Sequence, residues 1–306
     1  MMYTFLNDTF LAAADAALGV NDLSIQRGYG IFDFLKTVGD LPIFPDDHLD
    51  RFYHSADRMR LAVGKTREEL KAIIAELQQL NRFPDSGIRI TLTGGVSTDS
   101  ITPGRPNLII TQHPMAPPGK DCPLPIRLIS YPHQRQLPDV KTIDYLMAIH
   151  LQPYVHDRGA SDVLYHYNGI ITECPRCNFF LVTAGGTLVT PARNMLKGIT
   201  RKKVLALARD LLPTRERDLH LDELRTAREA FITSTSRHLV PVSHIDDQPI
   251  GGAAPTAVTA PTADTGPTPV ATLTAGPITR RLNSILYDLV YDQLPPRPRP
   301  APPGSS

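Results

Sequence analysis

The sequence has no tryptophan, only three cysteines and a formal net charge of +1 over 306 residues. Each scarcity excludes something. Near-neutral charge removes bulk electrostatics as a reason to bind nucleic acid or an acidic membrane surface. Cys122, Cys174 and Cys177 are an odd set and give no disulfide framework, so a cytoplasmic location is the expectation. No apolar run approaches the ~20 residues of a membrane span. Met1 to Val20 shows no basic segment followed by a continuous apolar one, so no secretory signal is read there. Lysine is also scarce, eight against twenty-four arginines, so each lysine can be weighed in turn.

The length suits one large or two ordinary domains. In the first half, Tyr3–Leu6 reads as a strand turning at Asn7-Asp8, and Ile31–Val38 as a second strand closed by Gly39-Asp40. From Asp46 the spacing becomes helical, with Leu49, Phe52, Ala56 and Met59 on one face. A second helix starts at the capping box Thr66-Arg67-Glu68-Glu69. Strands at Gly87–Thr93 and Asn107–Thr111 complete a small α+β domain, residues 1–112. Residues 113–125, with five prolines, read as a linker.

The large domain is expected over residues 126–294. A helix is expected after Asp144, bent or restarted at Pro153. Asn168-Gly169 between Asp162–Tyr167 and Ile170–Glu173 is the strongest hairpin signal in the chain. Another hairpin pairs Phe179–Val182 with Leu188–Thr190; a helix follows Gly198-Ile199-Thr200, and Glu229–Ser234 is an apolar strand. Residues 250–277, rich in Ala, Thr, Pro and Gly, read as a disordered surface insert, and 295–306 as a disordered tail.

Seven of the lysines sit on charged helices, in loops or at turns, and Lys36 runs into the Thr37–Asp40 turn. Lys141 alone stands between apolar neighbours at a strand-to-helix transition, in Val-Lys-Thr-Ile-Asp-Tyr. It is either a snorkelling surface lysine or a desolvated amine with a lowered pKa, the nucleophile a Schiff-base enzyme needs. A lysine that works on amino acids through pyridoxal phosphate requires an acid opposite the pyridine nitrogen, a phosphate cup and a group near the phenolic oxygen. Glu173 follows the apolar Ile170-Ile171-Thr172; it is either exposed at a strand end or paired with a cation such as that nitrogen. Gly198-Ile199-Thr200 opens a helix whose free amides can hold an anion. His48, Arg51 and Ser55 form a polar stripe that lets Arg51 reach a site, and Thr233-Ser234-Thr235-Ser236 supplies hydroxyls at a strand end.

The series His48-x-x-Arg51, Lys141-x-x-x-Tyr145, Thr172-Glu173 with Asn178-Phe179-Phe180, Lys197-Gly198-Ile199-Thr200-Arg201 and Ser234-Thr235 resembles the class IV pyridoxal-phosphate aminotransferases. The resemblance runs from Tyr3 to about Leu294 outside the insert. It implies an α+β, two-domain fold-type-IV enzyme: a small α/β sandwich domain and a larger β-barrel-like domain with helices. It implies that Lys141 bonds to the cofactor and then carries the proton. Tyr145 would meet the phenolic oxygen and Glu173 the pyridine nitrogen. Arg51, Ile199, Thr200 and Thr235 would hold the phosphate.

The resemblance also bears on substrate and assembly. The Arg27–Asp33 segment looks like the loop that enters the neighbouring subunit's active site, which implies a homodimer. The Arg-x-His motif of the best-known D-amino-acid enzymes is missing from Gly94–Ser100, and Gly87 stands where branched-chain enzymes often carry tyrosine. Arg27 and Arg89 remain as carboxylate binders, with Phe32 and Ser236 at the substrate; alternatively Arg89 pairs with a local acid and Arg27 with a phosphate or loop carbonyl. The expected reaction moves an amino group between an amino acid, with a lean to the D-series, and a 2-oxo acid such as 2-oxoglutarate or pyruvate. The alternatives are an L-branched-chain aminotransferase and aminodeoxychorismate lyase. A cofactor-binding protein without turnover would follow if Asp33 or the insert blocked the entrance. No metal site is expected, and Cys174-Pro175-Arg176-Cys177 has no second pair to complete one.

Overall fold

The computed structural model of the protein describes residues 1–251 and 274–291. The first half contributes β1 (Tyr3–Leu6), β2 (Thr9–Ala12), α1 (Leu23–Arg27), β3 (Gly30–Val38), β4 (Leu41–Pro42), α2 (Pro45–Arg58), α3 (Arg67–Asn81), β5 (Ser86–Thr93) and β6 (Leu108–Pro114). Its six strands form one antiparallel sheet in the order β2-β1-β6-β5-β3-β4. α3 begins with the expected capping box: the Glu69 N–H donates to Thr66 Oγ1 at 3.2 Å and the Thr66 N–H to Glu69 Oε2 at 2.6 Å. Such a cap stabilises a helix by about 1 kcal/mol.

Side chains alternate across a strand, so β3 contributes to two separate packing layers. Ile31 and Leu35 point into a core with Leu49, Phe52 and Ala56 of α2 and Leu70, Ile74 and Leu77 of α3. The opposite row, Phe32, Phe34, Lys36 and Val38, turns to the second half of the chain; Val38 packs there with Phe180, Leu239 and Leu282.

The second half supplies β7 (Ile126–Pro132), α4 (Leu146–His150), α5 (Gln152–Asp157), β8 (Asp162–Tyr167), β9 (Ile170–Ile171), β10 (Glu173–Cys174), β11 (Cys177–Val182), β12 (Leu188–Thr190) and α6 (Ile199–Ala208). β13 (Thr214–Glu216), β14 (Glu229–Ser234), β15 (His238–Ile245), β16 (Gln248–Pro249) and α7 (Pro277–Tyr291) follow. The second sheet has ten strands, with the path β13-β12-β11-β14-β15-β7-β8-β9. Three of its pairings are parallel, β7 with β8, β7 with β15 and β12 with β13, which the hairpin signals did not foretell. Asn168 and Gly169 make the predicted turn, both with positive φ.

Several expected boundaries shift. β6 runs to Pro114, inside the stretch read as linker. Glu173 does not end the β8–β9 hairpin; it opens the next one, paired with Asn178. Both edges of the expected insert are packed: the Gly251 N–H donates to the Ala227 carbonyl at 3.0 Å, Ala275 is buried, and α7 starts at Pro277. The rest of the insert and the tail from Pro295 lie outside the described residues. Lys36, placed at an exposed turn by its sequence, is buried at 2 % exposure.

Candidate active site

Lys141 is fixed by its backbone before its side chain does anything. Val140 is fully buried in the core of the first half. The Lys141 N–H donates to Ser55 Oγ on α2 at 3.2 Å, and its carbonyl accepts the Phe32 N–H at 2.9 Å. Thr142 bridges to Ile31, and the Ile143 N–H reaches the Gly30 carbonyl at 3.0 Å. The segment therefore lies as a fragment of strand along β3, and the Lys141 Nζ sits 4.5 Å from the Phe32 ring centroid. Among the described residues no carboxylate pairs with it. Burial first, then the Arg51 guanidinium, pull its pKa down from 10.5 to about 7.

Glu173, 4 % exposed, has a cationic partner that sequence reasoning missed. Its Oε1 accepts from Arg135 Nε at 2.8 Å and its Oε2 from the Leu196 N–H at 3.1 Å. Arg135 also donates to the Pro138 carbonyl at 2.7 Å and the Val140 carbonyl at 3.3 Å, tying Glu173 to the loop before Lys141. Burial pushes the Glu173 carboxyl above its ordinary range, and Arg135 pulls against it. The Tyr145 ring lies 5.9 Å from that of Phe32, and burial raises its phenol.

The same cavity holds an anion site. α6 starts at Gly198 with no side chain capping its first amides, so the Ile199 and Thr200 N–H groups and the helix dipole are available. Only glycine fits there, because a Cβ would stand 2.1 Å from Asn178 Oδ1. Thr233 Oγ1 is buried without a partner in the same cavity, and the turn from β14 to β15 brings Thr235 and Ser236. Arg51 also lines the cavity, oriented by Asp33: Nε to Oδ2 at 2.8 Å and Nη2 to Oδ1 at 2.9 Å. His48 Nδ1 shares Asp33 Oδ1 at 2.7 Å, and these two partners hold the carboxyl far below the usual carboxylate range. Unpartnered hydroxyl, uncapped amides and guanidinium together fit a phosphate monoester. Asp33 faces α2, away from the cavity, and does not block the entrance.

One cavity of about 540 Å³ gathers Phe32, Arg51, Arg89, Lys141, Tyr145, Glu173, Ile199, Thr200, Thr235 and Ser236. Arg27 is not among them; it is exposed at the end of α1 and donates to the Gln26 carbonyl at 3.0 Å. Arg89 stacks on Phe32, its Cζ 3.6 Å from the ring centroid, and meets Thr91 Oγ1 rather than an acid. A Cβ at Gly87 would stand 2.4 Å from Phe34 Cζ, so Phe34 fills the place a larger residue at 87 would take. Arg135, Phe34 and Arg176 were not singled out from the sequence, although all three line this wall. Cys174 and Cys177 are buried cross-strand neighbours with raised thiol pKa values, and no metal-binding group occurs among the described residues.

The fold resembles solved aminotransferases. A branched-chain amino acid aminotransferase from Escherichia coli superposes with a TM-score of 0.80 at 22 % identity, covering 95 % of both chains. A branched-chain enzyme from Thermoproteus uzoniensis, solved with norvaline, gives 0.79 at 24 %, covering 94 % of both chains. Another branched-chain enzyme, complexed with N-(5'-phosphopyridoxyl)-L-glutamate, gives 0.79 at 22 %, covering 96 % of this chain and 95 % of that one. These likenesses place the fold among the fold-type-IV structures.

The Amino-transferase class IV family model matches residues 30–245, and the chain belongs to that family of pyridoxal-phosphate-dependent enzymes. A putative branched-chain-amino-acid aminotransferase of Methanocaldococcus jannaschii is 31 % identical over 262 residues, 81 % of this chain and 90 % of that one. A D-alanine aminotransferase of Bacillus licheniformis is 27 % identical over 264 residues, 84 % of this chain and 93 % of that one.

Proposed function

We propose that the enzyme transfers the amino group of a D-amino acid to a 2-oxo acid such as 2-oxoglutarate or pyruvate, working in the cytoplasm as a homodimer. The observation that carries the reading is Lys141: an amine with a pKa lowered to about 7, without a carboxylate partner, in a cavity whose walls offer Glu173 and a phosphate cup. Pyridoxal phosphate, when bound, supplies the electron sink. Arg51, the Ile199 and Thr200 amides and the Thr235 hydroxyl hold its phosphate. Glu173 meets the pyridine nitrogen, and Tyr145 the phenolic oxygen. The Lys141 amine takes the substrate Cα proton as general base and returns it as general acid. Its lowered pKa matches that double duty. Phe32 keeps water from the amine.

The D-lean rests on the carboxylate side. Arg89, stacked on Phe32 without an acid partner, is free to bind a carboxylate bidentately. Arg27, exposed on α1, joins it from the neighbouring subunit, and Ser236 lines the substrate side. The relatives named D-alanine aminotransferase support this reading. The M. jannaschii relative favours a second one, an L-branched-chain donor. Competition assays decide: kcat/KM for D-alanine and D-glutamate above that for L-leucine and L-isoleucine supports the first, and the reverse order establishes the second.

A further inference from the structure

Lys36 has no part in the chemistry above, yet it is the least solvent-exposed lysine in the protein. It lies on the Phe32–Phe34–Lys36 row of β3, facing the second half of the chain. Its Nζ is hydrogen-bonded to Nε2 of His238, itself 2 % exposed, and stands 5.6 Å from the ring centroid of Tyr291 on α7. His238 is the first residue of β15, paired with Ser234, so it closes the turn that carries Thr235 and Ser236. Beside Lys36 and His238 is a space of about 10 Å³, room for no more than one water. Its walls include His48, Ile199, Thr200, Thr235 and His238. The ammonium therefore stands directly behind the residues that form the anion cup.

We propose that Lys36, through His238, is a positioning residue for the cup: it clamps the Thr235–Ser236 turn to β3 and places a compensating charge behind the bound phosphate. The inference rests on the cup being the cofactor's phosphate site. The groups facing Lys36 are His238 from β15, Tyr291 from α7 and His48 from α2, and the Asp33 carboxylate behind His48 is already engaged by Arg51. Among the described residues Lys36 forms no ion pair. A buried cation without a counter-charge is unfavourable, and a phosphate dianion in the cup is the partner that would offset it. Without that dianion, burial lowers Lys36 to about 7 and His238 to about 3, so the pair carries one proton at most near neutral pH. Filling the cup favours the protonated lysine, so phosphate binding and proton uptake are coupled.

The test uses cofactor-free enzyme with pyridoxamine 5'-phosphate and pyridoxamine, neither of which bonds covalently to Lys141. In the wild type at pH 8, calorimetry in buffers of different ionisation enthalpy should show the phosphorylated ligand taking up a fraction of a proton beyond what pyridoxamine takes up at its ring nitrogen. Lys36→Met should lose that excess uptake and bind the phosphorylated ligand roughly tenfold more weakly at pH 6.5, as one nearby charge would give. Pyridoxamine affinity should be unchanged, and Lys36→Arg should restore phosphate binding. Equal proton uptake with both ligands, or equal weakening for both in Lys36→Met, reduces Lys36 to a packing residue and overturns the proposal. If the variant does not fold, the wild-type calorimetry decides alone. Should the wild type fail to distinguish the phosphorylated ligand from pyridoxamine, the phosphate cup itself is misread, and the proposal falls with it.

Discussion

Arg135 and Glu173 form a largely buried ion pair, Nε to Oε1 at 2.8 Å, that links the loop before Lys141 to the β10–β11 hairpin. The pair gives Glu173 a fixed orientation in the cavity without neutralising both of its oxygens.

Removing one partner of a largely buried pair leaves the other charge uncompensated, at about 3 kcal/mol or more. Arg135→Met should lose that much stability in urea unfolding and lower kcat, because Glu173 then takes up a proton and no longer serves as a carboxylate. Unchanged stability and turnover would mean that the pair is dispensable.

Asp33→Asn tests the orientation of Arg51. The amide keeps one acceptor oxygen but loses the charge and sets an NH2 donor where a carboxylate oxygen stood, so it no longer meets Arg51 and His48 together, and cofactor affinity should fall at least about tenfold. Stability should fall by about 3 kcal/mol. Equilibrium titration with pyridoxal phosphate and urea unfolding check the two effects separately.

Stability of the cofactor-free protein should rise with pH through alkaline values. Lys141 binds its proton with a pKa of about 7 when folded and near 10.5 when unfolded. Between these values the unfolded chain holds a proton that the folded one lacks, so raising pH favours folding there. Lys36 behaves alike, so Lys141→Met should make the slope shallower without abolishing it. A slope identical to wild type would contradict the buried state of the Lys141 amine.

Arg89→Leu should raise KM for the amino donor by roughly 10- to 100-fold, the loss of a charge-assisted pair, while leaving cofactor affinity intact. A fall in kcat with KM unchanged would place Arg89 outside the substrate's carboxylate site.

Local signals in the chain were readable and long-range ones were not. The Thr66–Glu69 cap, the Asn168-Gly169 turn and the uncapped start of α6 are each decided within a few residues, where turn and cap chemistry speaks directly. Lys141 and Glu173 stood out because a charge among apolar neighbours is costly to bury without purpose, whereas Tyr145 entered through the family resemblance. Arg135 was not, since its partner is 38 positions away and the loop holding it has no period. Lys36 and His238 are separated by 202 positions, and the former looked like the end of an alternating strand. The parallel β15–β7–β8 pairing depends on crossovers that no short window reveals.

The most direct test is to load wild type and Lys141→Ala with pyridoxal phosphate and follow visible absorption on adding D-alanine, D-glutamate, L-leucine and L-glutamate in turn. The wild-type spectrum should change with the D-acids, with one oxo acid released per cofactor, while Lys141→Ala folds, retains the cofactor and transfers nothing. Response to the L-acids alone would retire the D-preference. Normal turnover by Lys141→Ala would contradict the assignment of Lys141 outright.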